Sequence, residues 1–231
     1  MKKEAVILLS GGLDSTTVAA IALSEGYKLH ALSFNYGQKH KVELDAVRKI
    51  VDSFGITTHK IITLNPTIFV NSALTNNISI PKNRNLDDIS IPITYVPARN
   101  IIFLSYALAF AEGYNITNIF IGANEIDYSG YPDCRPEFLS SFEKMANIGT
   151  KLGQNNKISI KTPLLHLTKS EIIKKGLSLN VDYSITHSCY DPTPKGACGL
   201  CDSCRLRLKG FNDNKMIDPI KYSTYTKSPS I

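Results

Sequence analysis

The sequence predicts an α/β fold: an open parallel sheet of about five strands with helices on both faces, followed by a small C-terminal module. Three observations lead there. Short apolar runs alternate with helix-period segments from residue 5 to residue 161, the pattern of βαβ units. A glycine pair, Gly11 and Gly12, falls at the first strand-to-helix junction, the edge where open α/β sheets collect ligands. Four cysteines crowd into residues 189–204, beyond the last βα unit.

The elements follow in order. Residues 5–9 are a short apolar strand, and 15–24 have helical character up to Gly26. Residues 29–34 form a second strand. Residues 39–54 carry Val42, Ala46, Val47, Ile50 and Phe54 on one helical face and stop at Gly55. A third strand covers 59–64. Residues 65–92 are rich in Asn, Pro and Asp and lack a period; a loop this long is usually functional or mobile, and it is expected to order over a ligand. Residues 101–112 read as a strongly apolar helix, buried on most sides. A fourth strand covers 118–121, a helix 136–151 with an early proline, and a fifth strand 158–161. Thr168 and Glu171 have capping-box spacing and open a helix to about residue 180. A basic helix near 202–210 and a polar tail close the chain. The expected division is 1–184 for the α/β domain and 185–231 for the cysteine module and tail.

The 231 residues, 43% hydrophobic and 20% charged, suffice for a buried core without disulfides. No apolar run approaches the length of a membrane span, and the apolar start is too short for a signal-peptide core. A cytoplasmic location with no membrane association is therefore expected, and in a reducing compartment the cysteine cluster reads as metal binding. The net charge of +6 is uneven. Residues from 151 onward hold 13 Lys/Arg against 6 Asp/Glu. This is read as a solvated surface rather than a nucleic-acid footprint.

The loop itself is SGGLDS, residues 10–15. Gly11 and Gly12 permit positive φ and close backbone approach. The N–H groups and dipole of the following helix favour an anion, and Ser10, Ser15 and Thr16 add hydroxyls. A Walker A loop needs a longer spacer ending in Gly-Lys-Ser/Thr, and neither is present. Asp14 beside phosphate implies a Mg²⁺ ion or a helix cap.

SGGLDS resembles the PP-loop of the ATP pyrophosphatase superfamily, which grips the pyrophosphate of ATP and transfers AMP to a substrate oxygen. FNYGQKHKVE (34–43), YVPARN (95–100), GANEIDYSGYPDCRPEF (122–138) and CYDPTPKGACGLCDSC (189–204) narrow the resemblance to the QueC family of 7-cyano-7-deazaguanine synthases, over roughly residues 5–210. The resemblance implies an adenine nucleotide alpha hydrolase-like fold, a homodimer, and the substrates 7-carboxy-7-deazaguanine, ammonia and ATP. It implies that a ring carboxylate becomes a nitrile through an amide, in the synthesis of a queuosine precursor. On it, Leu8, Leu9, Ser10, Gly11, Gly12, Leu13, Asp14, Ser15 and Thr16 are the expected nucleotide site, with Mg²⁺.

The catalytic candidates are Asp14, Arg99, Asp133 and Arg135. Arginine suits developing phosphate charge or a carboxylate. Tyr36, Gln38, Asp127, Tyr131, Asp133 and Arg135 are the substrate-binding candidates: an Asp for the guanine-like N–H and amino edge, Arg135 for the carboxylate, and Tyr131 for stacking. Glu43 is read evenly as a site residue or an exposed helix residue. No built-in glutaminase is evident, so ammonia is expected as free ammonium or from a separate donor.

Cys189, Cys198, Cys201 and Cys204 fit a closed tetrahedral Zn²⁺ site with a structural role. An iron–sulfur cluster is the rival, because the last three match a ferredoxin-like C-x2-C-x2-C; the family resemblance implies zinc. Two other functions compete with the ligase: a tRNA-modifying PP-loop enzyme that activates a base oxygen for sulfur transfer, and a non-catalytic nucleotide sensor.

Overall fold

The computed structural model describes residues 3–38, 42–85, 88, 90–126 and 130–223. Five strands form one parallel sheet: β1 (Lys3–Leu8), β2 (Tyr27–Asn35), β3 (Thr58–Thr63), β4 (Asn118–Phe120) and β5 (Ser159–Lys161), in the order β3-β2-β1-β4-β5. The helices are α1 (Leu13–Ser24), α2 (Val42–Ser53), α3 (Arg99–Gly113), α4 (Pro136–Gly149), α5 (Lys151–Asn155), α6 (Lys169–Ser178) and α7 (Asp202–Asp213).

The central strand is apolar from Ala5 to Leu8, where helices cover both faces of the sheet. Val6 and Leu8 of β1 point into one core with Leu104, Ala107 and Ala111 of α3 and Leu139 and Phe142 of α4. Ala5, Ile7 and Leu9 point into the other, with Val18 of α1, Val47 and Ile50 of α2, and Ile172 and Ile173 of α6. Leu104 is fully buried, and its truncation to Ala costs about 2–5 kcal/mol through lost transfer energy and a residual cavity. The segment beyond 184 enters the same cores: all four clustered cysteines join the first and Phe211 of α7 joins the second.

The chain winds outward through β2 and β3, then crosses to β4 on the other side of β1. This reversal opens a crevice at the carboxyl ends of β1 and β4, where ligands gather in open α/β sheets.

Two expectations are corrected, and a third segment gains contacts that the sequence did not indicate. Helix α3 is not buried on most sides: Ile101 and Tyr106 are 44% and 43% exposed. Its residues are apolar on the outer face too, so apolar content alone overstated burial. The helix expected over 136–151 ends at Gly149. Thr150 then adopts an extended φ/ψ and caps α5, its hydroxyl accepting from Gly153 N–H at 3.0 Å. The loop segment 65–92 is tied to the cysteine region, with Asn83 N–H donating to Leu200 O at 2.9 Å and Lys82 Nζ 2.5 Å from Asp191 Oδ2. Among the described residues no helix is long and apolar enough to cross a membrane.

Candidate active site

The crevice holds a cavity of about 210 Å³. Its floor is the SGGLDS loop. Gly11 sits at φ +84°, and a Cβ there would lie 2.6 Å from Glu43 O, so the turn and the approach of α2 both require glycine. The loop hydroxyls fold inward: Thr16 Oγ1 and Ser15 Oγ donate to Gly12 O at 2.8 and 3.2 Å, and Ser10 Oγ accepts from Gly12 N–H at 3.3 Å. Gly122, just past β4, brings the next chain in against the same turn; a Cβ there would lie 3.2 Å from Ser15 N.

One side wall carries charge. Asp14 Oδ1 lies 2.5 Å from Nζ of Lys169, and both side chains line the cavity. Lys169 is the first residue of α6, whose start is fixed by the expected capping box: Thr168 N–H donates to Glu171 Oε2 at 2.8 Å and Glu171 N–H to Thr168 Oγ1 at 3.3 Å. The cation absent from the loop is thus supplied from 155 positions downstream.

Another part of the lining is aromatic around one guanidinium. Tyr36, Gln38, Glu43, Leu74, Arg99, Phe103 and Tyr131 line it. Tyr131 is buried with its hydroxyl 2.9 Å from Thr94 Oγ1. Arg99 opens α3 and interacts electrostatically with Tyr36, Asp133 and Tyr131. Burial pushes the Glu43 carboxyl up to about 7, opposed by Arg99. Cys134 also faces the cavity, and burial reinforced by Asp133 pushes its thiol up to about 12, which leaves it protonated and a poor nucleophile.

Not every candidate reaches the cavity. Asp133 is buried beneath it, where Oδ2 accepts from Asn100 N–H at 3.0 Å and anchors the start of α3. Arg135 is exposed at the N-cap of α4 and does not line the cavity. Asp127 lies outside the described residues.

The Sγ atoms of Cys189, Cys198, Cys201 and Cys204 all lie within 4.8 Å of one another, and all four residues are buried. Four sulfurs this close could hold one metal ion between them. Main-chain N–H groups of Asp191 and Cys198 donate to Cys189 Sγ at 3.3 and 3.2 Å, and those of Leu200 and Cys201 to Cys198 Sγ at 3.4 Å.

The family model described as "Queuosine biosynthesis protein QueC" matches residues 4–215. The chain belongs to the QueC family. Curated relatives named 7-cyano-7-deazaguanine synthase include that of Geobacter metallireducens, 56% identical with 100% of this chain and 98% of the relative covered. Another, from Paramagnetospirillum magneticum, is 54% identical with 96% of this chain and 100% of the relative covered. Among solved structures, NMN synthetase from Francisella tularensis aligns with 84% of this chain and 67% of its own at 21% identity, with a TM-score of 0.49.

The QueC match spans loop, cavity and cysteine cluster together. Within it the fold adds residues that the sequence reading passed over: Lys169, Ser188, Tyr190 and Arg207 also line the cavity. For Lys169 a signal existed, since a lysine directly after a helix N-cap at the end of a βα unit faces the ligand edge of the sheet. For Ser188 and Arg207 there was none, because neither belongs to a strand-to-helix loop.

Proposed function

We propose that this chain converts 7-carboxy-7-deazaguanine and ammonia to 7-cyano-7-deazaguanine at the expense of ATP. The observation that carries the reading is that one cavity is lined both by the glycine loop at the start of α1 and by aromatic residues around Arg99.

A carboxylate is a poor electrophile because its leaving group is oxide. Transfer of AMP from ATP to a carboxylate oxygen releases pyrophosphate and makes AMP the leaving group. Ammonia then displaces AMP and gives the amide. A second transfer of AMP, to the amide oxygen, permits loss of AMP and a proton to leave the nitrile. Both transfers begin from a carboxyl-derived oxygen at one position, so one site serves both, with two AMP formed per nitrile.

The chain's own groups have distinct parts in this reading. The loop N–H groups and Lys169 hold the pyrophosphate charge that develops on transfer. Arg99 takes the substrate carboxylate or the α-phosphate, and Tyr131 and Tyr36 enclose the ring. Asp14, a carboxylate at the phosphate end, suits Mg²⁺, which supplies charge neutralisation between phosphate oxygens. The four thiolates suit Zn²⁺ in a closed structural site with no open position for chemistry. The exposed apolar Ile101 and Tyr106 of α3 favour a homodimer through that helix.

The deciding experiment incubates purified, metal-loaded protein with the carboxylic acid, ammonium, Mg²⁺ and ATP. Nitrile with two AMP per product supports the reading. ADP in place of AMP sinks the mechanism, and turnover only with tRNA points instead to a tRNA-modifying enzyme.

A further inference from the structure

Segment 183–190 belongs to none of the strand-end loops, yet it packs against the phosphate loop. His187 N–H donates to Gly11 O at 2.9 Å, and His187 O lies 3.6 Å from the position a Cβ on Gly12 would take. Ser188 Oγ accepts from Leu13 N–H, in the first turn of α1, at 3.4 Å. From its other side the same oxygen accepts from Arg207 Nη1, also at 3.4 Å.

Arg207 is 1% exposed and held from several directions. Its Nε and Nη2 bind Asp218 Oδ2 and Oδ1 at 2.7 and 2.9 Å, Nη1 donates to Thr186 Oγ1 at 2.7 Å, and Nη2 donates to Tyr183 O at 3.0 Å. The guanidinium therefore fixes both the segment and the direction from which it approaches Ser188. A hydroxyl oxygen has two acceptor lone pairs and one proton to give. With both lone pairs engaged by N–H donors, the proton of Ser188 is what remains for a ligand. Ser188 lines the cavity, and its Oγ lies 4.0 Å from the Cβ position of Gly12.

We propose that Ser188 is a phosphate-binding residue that donates its hydroxyl to the pyrophosphate portion of ATP, with Arg207 as its positioning residue. This rests on the nucleotide-binding reading above. It adds to the loop a donor from outside it, one aimed at an anion, because a hydroxyl that accepts from two N–H groups is polarised toward giving its own proton.

The test measures binding of inorganic pyrophosphate, ATP and AMP, each with Mg²⁺, by calorimetry to the metal-loaded full chain. Ser188→Ala is expected to weaken pyrophosphate and ATP about tenfold, the effect of one hydrogen bond to a charged group. Binding of AMP, which lacks the pyrophosphate, stays within about twofold. Ser188→Thr, which keeps the hydroxyl, restores pyrophosphate affinity. Equal pyrophosphate affinity in folded Ser188→Ala overturns the proposal, as does a parallel loss of AMP binding, which marks general damage to the loop. If the unaltered protein binds neither pyrophosphate nor ATP, the nucleotide reading itself has failed.

Discussion

Lys169 Nζ lies 2.5 Å from Asp14 Oδ1, a pair that joins the first residue of α6 to the first turn of α1 across the mouth of the phosphate loop. The loop has no lysine of its own, and this contact shows where the fold obtains one. Asp14 holds the ammonium group in place. In the proposed reading Lys169 turns to the phosphates of ATP and Asp14 to Mg²⁺. Lys169→Met is therefore expected to lower kcat/KM for ATP about 10²–10³-fold, the usual effect of deleting one donor to developing charge. Steady-state pyrophosphate release measures it, and a loss below about threefold would remove Lys169 from the phosphate site.

Gly11 meets two demands at once, a φ of +84° and a main-chain neighbour, Glu43 O, 2.6 Å from any added Cβ. Neither is relieved by a flexible side chain moving aside. Gly11→Ala is expected to cost about 1–3 kcal/mol of stability, visible as a lower denaturant midpoint. The same strain is expected to displace the N–H groups of the loop. ATP affinity should fall in the variant even under conditions where it remains folded. Unchanged ATP affinity in the folded variant would argue that the loop tolerates displacement.

How much of this was legible beforehand depends on where each contact is encoded. The strand–helix rhythm and the glycine loop are local, and all five strands and the principal helices stand where the periodicity put them. The cysteine cluster was equally plain, since its ligands are near neighbours in sequence. Apolar content misled for α3, because an exposed apolar helix face looks like a core one until its neighbours are known. The pairing in the charged wall was not legible for a different reason, although the position of Lys169 after a helix N-cap was a signal in itself. Lys169 and Asp14 are joined only by the order of strands in the sheet, and Ser188 and Arg207 only by the packing of α7 and the segment before it. Sequence motifs show residues that sit together in the chain. They miss a side chain that topology delivers from the opposite end.

Glu43 gives the site a pH signature. Burial raises its carboxyl from 4.5 to about 7, even with Arg99 nearby. The native state thus holds more protons than the unfolded chain between about pH 4.5 and 7, and stability falls as pH rises through that window. Above pH 7 the whole cost of a desolvated carboxylate is present. Glu43→Gln removes the titration, so the variant should show a flatter stability profile from pH 4.5 to 7. It should also be more stable than the parent by about 1–3 kcal/mol at pH 8. Denaturant melts across pH measure both. Parallel profiles for the two proteins would mean that Glu43 is solvated in solution.

Removal of the metal should be felt at the phosphate loop. Cys189 directly follows Ser188, and Cys201 and Cys204 begin the helix that carries Arg207. The same helix end therefore presents two sulfurs to the metal position and, one turn later, the guanidinium that holds residues 183–188 against Gly11 and Leu13. A buried cluster of thiols without an ion loses the bonds that fix its four chain segments, and metal-binding energy in such a site is folding energy. Cys201→Ser is accordingly expected to lose bound metal and about 4 kcal/mol or more of stability, a magnitude typical of metal loss. Pyrophosphate affinity should fall with metal content when chelator is titrated into the unaltered protein, and should return on re-addition of Zn²⁺. A metal-free Cys201→Ser protein that stays folded, binds pyrophosphate normally and turns over at the full rate would show that the cysteine centre and the phosphate loop are independent.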